Sequence, residues 1–332
     1  MHKRQLGAGG LEVSAIGLGC MGFSHAYGAP PDAQAAARVL LEALDLGYTL
    51  FDTAALYGFG ANETLLGQTL SARRGEFVLA SKCGMFRNSL GVREIDGRPA
   101  TLRRTVEDSL VRLRAETIDL CYLHRWDKRI AIEDSVGALS EMVATGKVRC
   151  IGLCEVSART LERAQRVHPI TALQTEYSLW TRNPEIAVIE QCRRLGVAFV
   201  AFSPLGRGFL AGGLPDVEEL QQKDIRRQMP RFEPANHARN LRLYRSLSGI
   251  ANEVGCTAGQ LALAWLLARG ADVIPIPGTT RADHLAENAA ACEVQLSANI
   301  VARLDALINS KTVAGPRYNA DTQSEIDTEE FA

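Results

Sequence analysis

Short apolar runs rich in β-branched residues alternate along the chain with amphipathic stretches of roughly 10 to 15 residues, the pattern expected of parallel strands joined by helical crossovers. About eight such units can be counted. The strand-like runs fall at 15–18, 48–51, 77–81, 118–123, 148–153, 170–174, 197–202 and 273–276. Helical periodicity occupies 33–46, 63–71, 102–114, 132–145, 158–167, 185–195, 238–253 and 258–268, with one more helix at 282–291 after the last strand. Asp32 and Ser157 stand where helices begin, and Gly47, Gly146 and Gly196 where helices must stop and turn into the next strand. The regular spacing breaks after residue 203. Residues 204–234 carry four prolines and mixed charges, too long for an ordinary connection and read as a functional loop over the site or a tolerated insertion. From Ser310 the chain is polar, acidic and aperiodic, which predicts a loosely held arm.

Four polar residues placed just after these apolar runs change the picture. Asp52 follows 48–51, Tyr57 lies five positions later, Lys82 follows 77–81 and His124 follows 118–123. In a barrel of parallel strands the C-terminal strand ends open onto one face, so an acid, a phenol, an amine and an imidazole distant in sequence would meet there. Taken singly, each has an ordinary reading as a cap, a packing residue or a satisfied polar group.

Composition narrows the class without choosing the fold. The 332 residues are 46% hydrophobic and 23% charged, enough for one large barrel or two domains. Lysine and arginine number 37 against 38 acidic residues, a formal charge of -1, so no global field favours nucleic acid or an anionic membrane. A local cationic pocket for a small anion stays open. The eight cysteines contain no Cys-x-x-Cys pair and several lie inside strand-like runs, reading as reduced core thiols. No segment reaches the roughly 18 apolar residues of a membrane span, and Met1 to Leu6 lack a signal-peptide core. A cytoplasmic protein is expected.

Gly17-Leu18-Gly19-Cys20-Met21-Gly22 matches the G-x-G-x-x-G dinucleotide fingerprint. That fingerprint should open directly into a helix whose N-terminus holds pyrophosphate. Residues 23–31, ending in two prolines, intervene, so a strand end with close backbone approach is the better reading.

The string from Phe51 to Gly58 (Phe-Asp-Thr-Ala-Ala-Leu-Tyr-Gly), followed by Asn62-Glu63 and Leu66-Gly67, resembles the signature of the aldo-keto reductase superfamily. Ser81-Lys82-Cys83-Gly84, Leu123-His124-Arg125, the run from Gly146 to Leu153, Ser203-Pro204-Leu205-Gly206 and the run from Ile274 to Thr280 are similar to further motifs of that family, in order, from Arg4 to about Leu307. The resemblance implies an α/β fold, a (β/α)8 TIM barrel with a long loop after strand 7 and an extra C-terminal helix. It implies one barrel domain over residues 1–309 and a polar C-terminal tail over 310–332. It also implies NADPH-dependent reduction of an aldehyde or ketone.

The residue chemistry agrees. A carbonyl needs a hydride at carbon and a proton at oxygen, and the cofactor supplies only the hydride. Tyr57 is the candidate acid; its phenol, with an ordinary pKa near ~10, needs a neighbouring cation to lower it, for which Lys82 is expected, with Asp52 keeping Lys82 charged. His124 would hydrogen-bond the substrate oxygen. For the nicotinamide amide the resemblance implies Cys154, Glu155 and Gln174, with a thiol at Cys154 where relatives carry a hydroxyl and Asp52 and the strand end Gly19, Cys20 and Met21 nearby. Phe202 is the candidate stacking ring, although a core aromatic would look identical. Ser203, Leu205, Gly206 and Arg207 are expected at the pyrophosphate, and Gly278, Thr279, Thr280 and Arg281 at a helix N-terminus suited to phosphate. Arg281 argues for NADP over NAD, and Glu287 and Asn288 match residues that contact adenine and ribose.

Phe23, Tyr27, Phe86 and Trp126 are candidates for an apolar wall around a small-molecule carbonyl substrate, or ordinary loop anchors. Two other classes are weighed. A nicotinamide-binding regulatory or redox-sensor subunit with little turnover would keep the same four residues. A metal-dependent hydrolase would want clustered histidines at strand ends, and of six histidines only His124 ends a strand convincingly.

Overall fold

The structure, a computed structural model, describes residues 1–24, 26–88, 91–212 and 217–331. Eight parallel strands run in sequence order around one sheet: Leu18–Gly19, Leu50–Asp52, Val78–Cys83, Ile118–Leu123, Val148–Cys154, Ile170–Glu176, Ala198–Phe202 and Val273–Ile276. The first and last strands close the ring through a parallel bridge between Gly19 and Gly278, with Gly17 N–H donating to Pro275 O at 3.0 Å and Gly19 N–H to Pro277 O at 3.2 Å. At Gly19 a Cβ would stand 2.9 Å from Ile276 O. The glycine fingerprint thus serves strand closure: Met21–Phe23 form one 3-10 turn, and the first helix waits until Ala33–Asp45, capped by Asp32. The chain is a (β/α)8 barrel.

Side chains alternate across each strand, so every second residue points into the barrel. Val78, Ala80, Leu120, Tyr122, Ala172, Val200 and Ile274 fill it together with Leu6, Leu11 and Val13. Those last three come from an antiparallel hairpin, Lys3–Leu6 with Leu11–Ser14, absent from the sequence-based reading. Ala8 N–H bonds Gly196 O, just ahead of the seventh strand, which sets the hairpin on the N-terminal end of the barrel. Only the C-terminal end is left for a site. Within the barrel Tyr122 lies in register with Gly152, where a Cβ would meet its ring at 2.4 Å. The missing side chain makes room for a fully buried phenol under Lys82.

The opposite faces of the strands pack against helices in a second, larger core. The segment after strand 7 holds short 3-10 turns at Phe209–Ala211, Val217–Glu219, Ile225–Gln228 and Pro230–Phe232 before the helix Pro234–Val254. Trp180, Phe209 and Phe232 anchor it, with the Trp180 and Phe209 ring centroids 4.2 Å apart. Helices Ala282–Ala290 and Ala298–Leu307 follow the last strand.

The tail departs from the expected loose arm. Arg317 is buried against Glu155 and Glu176, and Asp327 accepts bonds from Ser157 and Thr160 at 2.8 and 2.7 Å. Glu329 accepts from Ala158 N–H at 2.8 Å, and Lys128 donates to Ser324 and Ile326 carbonyls. Acidic side chains spaced without periodicity look solvated in sequence, yet here they cap the positive end of the helix Ala158–Gln165. The tail is a strap across the C-terminal face.

Candidate active site

Lys82 is the centre of the site. Its position on the third strand points it inward, almost wholly buried, and its ammonium is bonded to the Asp52 carboxylate, to Thr53 O at 2.8 Å and to the Tyr57 hydroxyl at 3.2 Å. Gln174, from the sixth strand, donates to the second Asp52 oxygen at 2.7 Å. The Tyr57 and His124 rings meet edge to face with centroids 5.8 Å apart. Four strand ends therefore converge on one cluster, as parallel geometry requires.

Two residues whose roles the sequence did not disclose hold this cluster in place. Asn62 accepts from the Thr53 hydroxyl at 2.6 Å and donates to Cys20 O at 2.9 Å, tying the turn after Asp52 to the end of the first strand. Glu63 takes the Ser81 hydroxyl at 2.5 Å and is paired with Arg112 at 2.7 Å. Both are fully buried. Their signal was the Asn-Glu pair at the start of the helix Ala61–Leu70, polar residues where a buried helix face was due.

Burial disfavours the Lys82 ammonium, but the Asp52 carboxylate and the neighbouring Tyr57 outweigh it and hold the charge. Burial likewise pushes Asp52 up, against the pull of Lys82 and the bonds from Lys82 and Gln174. For Tyr57 the structure corrects the expectation of a lowered value. Burial raises its pKa to about 12; Lys82 draws it down, yet Asp52 opposes that. The phenol is a proton holder in the resting protein. The Cys154 thiol is also pushed up to about 12 by burial, against the attraction of Lys82 and Arg125.

A cavity of about 520 Å3 opens above the cluster. Asp52, Tyr57, His124, Cys154 and Gln174 line it together with Gly19, Cys20, Met21, Tyr27, Phe202, Ser203, Leu205, Arg207, Gly278, Thr279, Thr280 and Arg281. Lys82 sits beneath it. Leu56, Met85, Arg93, Arg125, Ile225, Arg226, His284, Tyr318, Thr322 and Glu325 are further walls. Met85 and Arg93 belong to a small antiparallel hairpin after the third strand, His284 to the helix Ala282–Ala290, and Tyr318, Thr322 and Glu325 to the strap.

Other expected site residues lie elsewhere. Glu155, at positive φ, engages one carboxylate oxygen with Arg317 and with Glu176 N–H at 2.9 Å while the other oxygen is buried, and it is not among the residues lining the cavity. Gly206 is covered by Trp180, 2.4 Å from where a Cβ would be. Glu287 accepts from Thr257 at 2.6 Å on a helix flank, and Asn288 is buried. Phe23 belongs to the core, Phe86 lines a separate polar cavity with Arg104 and Asp108, and Trp126 donates to Ile130 O at 2.9 Å beneath the Arg163 guanidinium. Phe23 lies in the 3-10 turn after the first strand and Phe86 in a short hairpin strand, Met85–Arg87, after the third; of the proposed aromatic wall, Tyr27 alone reaches the cavity.

Two of the arginines expected near phosphates are already paired. Arg207 bonds Glu176 at 2.7 Å and Tyr318 at 3.1 Å, and Arg281 bonds Asp283, two residues on.

Comparison with known proteins places the arrangement. Residues 15–309 match the Aldo/keto reductase family. The chain is 42% identical over 315 residues to the probable aldo-keto reductase 1 of Glycine max, covering 95% of this chain and 91% of that protein. The glycerol dehydrogenase AKR11B4 from Gluconobacter oxydans superposes with a TM-score of 0.84 at 26% identity, covering 95% of this chain and 97% of that one. An aldo-keto reductase from Klebsiella pneumoniae, solved in complex with NADPH, superposes with a TM-score of 0.75 at 26% identity, covering 96% and 99%. With the family matched across the barrel and a relative of this identity along nearly the whole chain, the protein belongs to the aldo/keto reductase family.

Proposed function

We propose that the protein reduces an aldehyde or ketone to an alcohol, reversibly, with NADPH as hydride donor and Tyr57 as proton donor. The observation that carries this reading is Lys82, held by Asp52 and Thr53 O with its ammonium 3.2 Å from the Tyr57 hydroxyl under an open cavity.

The cavity's donor set suits a nicotinamide dinucleotide. Gln174 and Cys154 offer an amide and a thiol beside Tyr57, and Phe202 presents a half-buried ring. Ser203, Thr279 and Thr280 offer hydroxyls, and the amides opening the helix Ala282–Ala290 suit a phosphate. Arg281 would hold a 2'-phosphate by giving up its bond to Asp283, and a guanidinium so placed would favour NADPH over NADH. Bound NADPH supplies the hydride.

The rest is the work of the chain's own groups. Tyr57 keeps its proton until negative charge develops on the substrate oxygen, and the Lys82 ammonium stabilises the phenolate left behind. Asp52, oriented by Gln174, keeps Lys82 charged. His124, edge-on to the Tyr57 ring, polarises the carbonyl from a second side.

Titration with NADPH and NADH by fluorescence, followed by a carbonyl panel monitored by absorbance of the reduced cofactor, tests the assignment. Tyr57→Phe should keep NADPH affinity and lose about 10²- to 10⁴-fold in turnover, the range of a general acid. Full activity in that variant removes Tyr57 as the acid. Binding without consumption of any carbonyl points to the sensor reading.

A further inference from the structure

The cavity wall holds five arginines, and four of them have carboxylate partners. Arg93 is paired with Glu325, Arg207 with Glu176, Arg226 with Asp224 and Arg281 with Asp283. Arg125 is different. It directly follows His124, and its Nη1 donates to the His124 carbonyl at 2.7 Å, while its Nε is buried with no acceptor. Among the described residues no carboxylate lies within ion-pair distance of it.

A half-buried guanidinium short of acceptors is a costly feature, because buried polar groups are almost always satisfied. Nε is closed off from the open cavity, but Nη2 has no hydrogen-bond partner among the described residues and is not buried, so it is the edge a bound anion would meet beside Nη1. Arg125 also stands close enough to the reacting groups to share one substrate with them: its charge reaches the Cys154 thiol, which feels Lys82 as well. Around it the cavity offers Leu56, Met85, Phe202 and Tyr318 as apolar surface. The planar fork of an arginine matches a carboxylate in two parallel hydrogen bonds.

We propose that Arg125 is a specificity-determining residue that receives an anionic group of the substrate, making the preferred substrates carbonyl compounds that also bear a carboxylate. The inference rests on the carbonyl-reductase reading and names the substrate class for that site. A substrate so held has its carbonyl directed toward Tyr57 and His124 by a fixed anchor one residue away in the chain, while the apolar walls cover the body between the two ends.

The test compares 4-carboxybenzaldehyde with 4-methylbenzaldehyde, which share shape near the carbonyl and differ in charge at the far end. Wild-type protein should favour the carboxylate, and in Arg125→Met the ratio of the two kcat/KM values should fall by about 10- to 100-fold, the loss of a charged hydrogen bond, through KM more than kcat. Arg125→Lys should recover part of the ratio, since a point charge replaces the fork. Equal loss on both aldehydes, or an unchanged ratio, overturns the proposal. A second readout is independent of turnover: terephthalate, which has no carbonyl to reduce, should quench tryptophan fluorescence on binding the wild type and bind at least tenfold more weakly to Arg125→Met. If neither aldehyde is reduced while terephthalate binding shows that dependence, the reductase reading fails and the anion site stands. If terephthalate binds both proteins alike, the anion site fails by itself.

Discussion

Replacing Arg317 by methionine tests how the strap is held. Arg317 comes from the C-terminal tail and is 5% exposed, between Glu155 at 1% and Glu176 at 3%. It bonds the Glu155 carboxylate and reaches Glu176 at 3.2 Å, with its guanidinium 4.6 Å from the Tyr318 ring. Methionine fills similar space and removes the charge. Glu176 keeps Arg207 at 2.7 Å, but Glu155 loses its ion-pair partner and retains the Glu176 N–H. Breaking one side of a buried ion pair costs about 3–5 kcal/mol because the remaining charge stays buried. For a chain of this size that lowers the melting midpoint by roughly 4–7 °C. Hydrogen exchange should quicken first at residues 155–158 and 317–329, where the strap's bonds lie.

Acid gives the same interaction a second signature. Burial disfavours the Glu176 carboxylate, but Arg207, Arg317 and Arg231 outweigh it and hold its pKa at about 2 against an ordinary 4.5. The folded value lies below the unfolded one, so this stabilisation is complete above about pH 4.5 and is lost as pH falls toward 2. Removing Arg317 raises the folded value, so the variant starts from lower stability and loses less between those limits. Adding Glu155→Gln should restore part of the stability, since it removes the stranded charge. A loss below about 1 kcal/mol in Arg317→Met, with unchanged exchange in the strap, would refute the reasoning.

Two further outcomes follow from the interior. With Tyr57 held up at about 12 by burial, carbonyl reduction should show no alkaline fall from this group up to about pH 9; a fall in kcat/KM centred near neutrality that persists in single-turnover measurements of the chemical step would contradict a protonated resting phenol. Gly152→Ala places a methyl carbon 2.4 Å from the Tyr122 ring, which is wholly buried and cannot swing away. It should cost about 1–3 kcal/mol in urea unfolding and disturb Lys82, which lies over that ring; a wild-type midpoint would show that the barrel interior yields more easily than its packing implies.

The alternation of apolar runs and amphipathic helices located all eight strands, since strand and helix periods are local properties that survive in the linear chain. Asp52, Lys82 and His124 were legible for the same reason: each sits at a strand end, with Tyr57 in the turn that follows Asp52, and parallel strands bring their ends to one face. The N-terminal hairpin was not, because Lys3–Leu6 and Leu11–Ser14 are short and gain their burial only against the barrel they close.

What the tertiary structure alone decided was direction and partner. Phe23, Phe86 and Trp126 stand at promising places in sequence, but loop geometry turned them into the core or toward other surfaces. Glu155 reads as a cofactor ligand until Arg317, 162 positions away, takes its carboxylate. The pKa of Tyr57 could not be foreseen from its neighbours' identities, because desolvation depends on how completely the surrounding chain excludes water, and here burial outweighs the pull of Lys82. Periodicity and strand-end position are written residue by residue along the chain; burial, charge pairing and the aim of a side chain are sums over atoms that meet only after folding.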